Sequence, residues 1–142
     1  MGIYFNPTNE SFTQAKNSMI YVDKTELLEQ LNLRLSTENK CIAVSHARRF
    51  GKSHAAGMID AYYSLGCDSS KLFDNTKISS HADYKKYMNK YNVIHLDISS
   101  FWDFHKKDLI ESIKERVYDD FKEIYAESLN YNKDIHVLLN EI

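Results

Sequence analysis

Cys41-Ile42-Ala43-Val44-Ser45-His46-Ala47-Arg48-Arg49-Phe50-Gly51-Lys52-Ser53 decides how this chain is read. Its first four residues form an apolar run without alternation, the pattern of a strand buried on both faces in a parallel sheet. The stretch from His46 to Ser53 fits the phosphate-loop pattern G-x-x-x-x-G-K-[ST], also called Walker A, everywhere except its first position, where His46 replaces glycine. Beyond Ser53, the residues Ala55, Ala56, Met58, Ile59, Tyr62 and Tyr63 recur with helical period, and Gly66 supplies a stop. The predicted order is strand, loop, helix, the arrangement the motif requires.

The physical demands of such a loop rank its residues. Backbone N–H groups must reach phosphate oxygens, so a side chain at Gly51 would obstruct them. Lys52 offers a compact positive charge to the β and γ phosphates, and the Ser53 hydroxyl suits one coordination position on Mg²⁺. The dipole of the following helix adds about half a positive elementary charge at the same place. Histidine is among the residues enriched at positive φ, so His46 is tolerable at the first position. Arg48 and Arg49 suit bidentate phosphate contacts, or serve equally as ion-pair partners of Asp23 or Asp97. Phe50 packs beneath the loop or stacks on a base, and His54 lines the loop. The nucleotide-binding set is therefore Arg48, Arg49, Phe50, Gly51, Lys52, Ser53 and His54. Ser53 and Asp97 are the metal candidates, with the initiation of a loop as the other role for Asp97.

Working outward, Gly2 to Ile20 reads as irregular chain with one short helical turn around Phe12 to Ala15. Asp23 is an N-cap candidate with Glu26 as its capping-box partner, ahead of a helix from Lys24 to about Leu35. Capping is the favoured role for Asp23, Lys24 and Thr25 over nucleotide contact. Cys67 to His81 is a connection anchored by Leu72, Phe73 and Ile78, and a short helix is predicted from Asp83 to Lys90. Val93-Ile94-His95-Leu96-Asp97 reads as a second buried strand, followed by a loop from Ser99 to His105. Leu109, Ile110, Ile113, Val117, Phe121 and Ile124 mark one face of a long helix, with Glu111, Lys114, Glu115, Asp119, Asp120 and Glu123 on the solvated one. A last apolar periodicity from Asp134 to Ile142 breaks off mid-pattern, which predicts a truncated domain.

Composition bounds the rest. The chain has 142 residues, 43% hydrophobic and 27% charged, with 18 Lys and Arg against 20 Asp and Glu. These are values of an ordinary globular domain. At this length roughly 68–70% of the unfolded surface is buried on folding, enough for one core without disulfide or metal staples. A formal net charge of -2 offers no basic field for nucleic acid. Two cysteines make no disulfide framework, and the six histidines lack metal-ligand spacing. With neither a signal peptide nor an apolar run near the ~18 residues of a membrane span, the expected place is the cytoplasm, away from membranes. One domain over residues 1–142 is expected, with 1–22 an irregular N-terminal segment.

Three motifs in order also carry a family resemblance. Tyr21-Val22-Asp23-Lys24-Thr25, Arg48-Arg49-Phe50-Gly51-Lys52-Ser53 and Val93-Ile94-His95-Leu96-Asp97 resemble the Y-V-D-K-T, R-P-R-R-F-G-K-S and V-I-x-L-D signatures of the predicted AAA-ATPase-like proteins of bacteria, as does the start Asn6-Pro7-Thr8-Asn9-Glu10. The resemblance implies a P-loop NTPase-like, three-layer α/β/α fold with a partial, mostly parallel sheet, and ATP with Mg²⁺ as ligands. Family members commonly lack the first glycine, and many carry a nuclease-like C-terminal domain. The resemblance covers the amino-terminal portion only, since the family's acidic Walker B strand would lie beyond Ile142.

The expected function is binding of ATP, or else GTP, with Mg²⁺ and weak or no hydrolysis by this chain alone. Another class competes: an interaction module without nucleotide binding, associating with a second copy or a partner through an unfinished sheet edge and an uncovered helix. A small phosphate-loop kinase is a third possibility, without a lid-like arginine cluster to favour it.

Overall fold

The computed structural model describes residues 2–45, 47–101 and 108–124. His46, most of the expected loop from Ser99 to His105 and the final periodicity from Asp134 to Ile142 lie outside the described residues. The elements are helices α1 (Glu10–Lys16), α2 (Glu26–Asn32), α3 (Lys52–Tyr63), α4 (Ser70–Phe73) and α5 (Leu109–Ile124), with 3-10 helices at Lys77–Ser80 and Ile98–Phe101. Contacts divide the chain into two compact units, Thr8–Val93 and the remainder.

The expected α/β/α architecture is not what forms. Among the described residues there is no sheet, only two isolated bridges, Phe5 with Ile94 and Ser64 with Tyr91. The Cys41 to Val44 run has no strand partner among the described residues, and Ile42 and Val44 remain 42% and 54% exposed. A strand buried on both faces needs neighbours on both edges, and a lone pair of strands is marginal at best in water. The Val93 to Asp97 run contributes one antiparallel bridge through Ile94 and no ladder.

The unit from Thr8 to Val93 is held by an aromatic core. Phe12 of α1, Leu28 of α2, Met58, Ala61, Tyr62 and Tyr63 of α3, Phe73 of α4 and Ile78 form one buried cluster. Phe12 and Phe73 stack at 4.9 Å, and Tyr62 meets Phe73 edge-on at 5.3 Å. Each such side chain contributes roughly 1.5–3 kcal/mol by leaving water. The helix α1 lies so close to α3 that a Cβ on Gly57 would sit 2.6 Å from the Ser11 hydroxyl. The carboxyl end of α3 is fixed by Asn89, whose amide group donates to the carbonyls of Ala61 at 3.0 Å and Ser64 at 3.1 Å. Asn89 adopts φ +55°, and its surroundings are turns from His81 onward where a helix was expected. A chain committed to those side-chain bonds leaves the helical ladder.

In the other unit, Phe5, Val117 and Phe121 form a small core with Leu96, Ile113 and Ile124 against it. Asp120 does not join the solvated face expected for it. Its helical neighbours at three- and four-residue spacing, Val117 and Ile124, face that core, and its carboxylate accepts the amides of Ile3, Tyr4 and Phe5 at 2.8–3.0 Å. A buried carboxylate with three charge-assisted donors is fully compensated.

The start of α2 differs from the expected capping box. Thr25 occupies the cap position, and Asp23 folds a turn ahead of it, its Oδ1 accepting the Thr25 amide at 2.8 Å and hydroxyl at 2.7 Å. The other Asp23 oxygen accepts the Lys77 amide at 2.8 Å, and the buried Thr25 hydroxyl accepts the Ile78 amide at 3.1 Å. Burial pushes the Asp23 carboxyl up, but the Thr25 and Lys77 hydrogen bonds and the Lys77 charge outweigh it and hold it below its ordinary 3.8. A carboxylate so lowered contributes stability above its unfolded-state value and loses it as pH falls through the folded-state value. Asp23→Asn is expected to cost roughly 1 kcal/mol at pH 7, and the gap to the unchanged protein should begin to narrow as pH falls below the ordinary 3.8 and close only below the lowered folded-state value. Urea midpoints at pH 7 and pH 3 measure this; a gap of the same size at both contradicts it.

Candidate functional site

The helix α3 divides at its middle. Its second half, with Met58 and Tyr62, is buried, whereas Lys52, Ser53 and His54 of the first turn are exposed. A rigid, anchored half thus carries its own amino terminus to the surface. Gly51 starts the helix at φ +78°, in the left-handed region, and no side chain caps it. The Ala55 amide closes the first turn on the Gly51 carbonyl at 3.0 Å. The amides of Ser53 and His54 precede it and have no acceptor within the helix, the usual condition of a helix start.

Around this start the loop folds on itself. The Lys52 ammonium donates to the Ala47 carbonyl at 3.2 Å, spanning the loop. Arg49 takes φ +67°, an uncommon region for arginine, so two left-handed residues flank Phe50. The Phe50 carbonyl between them accepts the ammonium of Lys24, and a Cβ on Gly51 would lie 2.9 Å from that same nitrogen. Lys24 is held in place by the four hydrogen bonds of its neighbours Asp23 and Thr25.

Two concavities flank the loop. An open depression of about 360 Å³ is lined by Arg48, Arg49, Gly51, Lys52, Ser53 and His54. A second, also about 360 Å³, shares Arg49, Gly51 and His54 with it and is further lined by Phe12, Ile20, Tyr21, Val22, Lys24, Phe50 and Met58. Among the described residues no Asp or Glu lines either one, while Lys24, Arg48, Arg49 and Lys52 do. The Tyr21 hydroxyl stays protonated, its pKa pushed up to about 12 by burial and by the nearby Asp23 charge.

Six of the seven residues expected to bind nucleotide therefore line one depression, and Phe50 lines the adjoining one. Phe50 is 57% exposed, so it does not pack beneath the loop. Arg48 and Arg49 make no ion pair among the described residues; the Asp23 carboxylate is taken by Thr25 and Lys77. Asp97 belongs to the other unit. Its carboxylate accepts the Ser99 hydroxyl at 2.6 Å and amide at 3.0 Å, starting the 3-10 helix, and these bonds hold its pKa below the ordinary value. Among the described residues no group of three or more His, Cys, Asp or Glu could hold a metal.

A family model, that of the predicted AAA-ATPases, matches residues 9–142. The chain belongs to that family. Membership of the AAA-ATPase-like family makes the function nucleotide-related, and the loop at Gly51 lies within the matched span. No curated protein and no solved structure matches the chain. No helix among the described residues is long and apolar enough to cross a membrane.

Sequence reasoning weighed nucleotide contact for Lys24 but favoured a capping role for its segment, and so left it out of the binding set. The signal available was Asp23-Lys24-Thr25 itself, where two residues with locally bonding side chains flank a long cation. For Gly51, conformation outweighs volume, because the Lys24 ammonium that a Cβ would meet ends a flexible chain. Gly51→Ala is expected to lower stability by about 1 kcal/mol for its left-handed φ. An unchanged urea midpoint would contradict the left-handed start of α3.

Proposed function

We propose that the chain binds a nucleoside triphosphate, ATP or else GTP, with Mg²⁺ at the start of α3. One observation carries the proposal: among the described residues four cations and no carboxylate line the two concavities that meet at Gly51, beside a helix start that lacks a side-chain cap. Backbone donors, a helix dipole and convergent positive charge all favour a polyphosphate. The apolar slot walled by Phe12, Tyr21, Val22 and Phe50 offers the nucleoside a place contiguous with the phosphates.

The donor set suits magnesium. This ion keeps several waters and takes one or two protein ligands beside phosphate oxygens. The exposed Ser53 hydroxyl, which makes no hydrogen bond among the described residues, is the proposed ligand. When bound, Mg²⁺ neutralises phosphate charge. Hydrolysis also needs a group that orients the attacking water. Since no carboxylate among the described residues lines either concavity, turnover by this chain alone is proposed to be slow or absent. A reducing, cytoplasmic setting is part of the same proposal, since two cysteines make no disulfide framework.

The interaction-module alternative loses its sheet edge, because no sheet forms among the described residues. Exposed Ile42, Val44 and Phe50 still favour it as a second reading, with a second copy as the partner.

Melting curves with and without millimolar Mg-ATP separate the two. A ligand at 100 times its Kd stabilises the folded chain by about 2.7 kcal/mol, which raises the melting temperature by several degrees. Lys52→Ala should abolish the rise without lowering the starting melting temperature, since its side chain is exposed. Absence of any rise in the unchanged protein, together with a dimer mass indifferent to nucleotide, would establish the module instead.

A further inference from the structure

We propose that Lys24 is a positioning residue of the phosphate site: it holds the loop in an anion-accepting shape and supplies a second ammonium to the polyphosphate. The inference rests on the nucleotide-binding reading of that site. Lys24 stands 26 positions before the residue it grips, and its nitrogen donates to the Phe50 carbonyl. Phe50 is the single residue between Arg49 at φ +67° and Gly51 at φ +78°. An arginine in the left-handed region costs energy and persists only where its surroundings over-determine it. The Lys24 bond supplies that constraint at the carbonyl joining the two left-handed residues.

The lysine is itself well placed to act this way. Its backbone is pinned between Asp23 and Thr25, and through them to the amides of Lys77 and Ile78. An ammonium has three donors. One is spent on Phe50, and among the described residues Lys24 makes no other hydrogen bond or ion pair. The space beside Gly51 that glycine leaves open is the space this nitrogen occupies, 2.9 Å from the missing Cβ. Lys24 lines the concavity that adjoins the one lined by Lys52, with Gly51 common to both, so a polyphosphate lying across Gly51 reaches both ammonium groups. Two lysines from distant segments would favour ligands with several phosphates over those with one.

Two readouts on the full chain test this with Lys24→Met and Lys24→Arg. Amide hydrogen exchange without nucleotide should quicken at Arg49 to Lys52 in Lys24→Met, with melting temperature unchanged because the side chain is exposed. By calorimetry, Lys24→Met should weaken ATP binding about tenfold or more while weakening AMP binding much less, and Lys24→Arg should restore most of the loss. Unaltered exchange with unaltered ATP affinity overturns the role of Lys24 alone. Equal losses for ATP and AMP overturn the phosphate contact. Failure of the unchanged protein to bind ATP overturns the site itself, and this inference with it.

Discussion

A helix start has amide donors that its own ladder cannot satisfy, and in α3 this constraint shapes the surroundings. The residue ahead of it is Gly51 in a left-handed conformation, which turns the chain sharply into the helix and leaves no side chain over those donors. The aromatic core grips only the second half of α3, so the first turn stands at the surface while its position is set by Met58, Ala61 and Tyr62 within. Everything proposed for the site follows from a rigid helix whose open end is presented to solvent.

The charges around that end give it a sign. Lys24, Arg48, Arg49 and Lys52 come from two separated sequence motifs, and the bond from Lys24 to the Phe50 carbonyl joins them. The chain as a whole carries a formal charge of -2, so this accumulation is local. Local fields of one sign in a concave surface concentrate ligands of the other. The same arrangement explains why Asp23 is not available to pair with the arginines: its two oxygens already hold Thr25 and Lys77. Diverting that carboxylate to structure leaves the loop's cations for a ligand.

Local pattern made parts of this visible beforehand. The helical period from Ser53 and the glycine ahead of it located α3, and the apolar stripe from Leu109 to Ile124 matched α5. Both are strong signals because a dozen or more residues repeat them. The four residues Cys41 to Val44 carried much less information. An apolar run this short takes its conformation from its neighbours, and here no strand stands beside it, so the parallel sheet read from it is absent among the described residues. Asp120 was misplaced because charge was weighed above helical position: it lies on the same stripe as Val117 and Phe121, and its partners are amides from the other end of the chain. Long-range hydrogen bonds of that kind, like the one made by Lys24, leave no trace in spacing.

The central claim is that the open end of α3 receives a polyphosphate. Backbone amide NMR of the full chain titrated with Mg-ATP tests it most directly. The account predicts that the largest and earliest shifts fall on the amides of Gly51, Lys52, Ser53 and His54. Saturable shifts centred on α5, or no shifts at millimolar nucleotide, would contradict it.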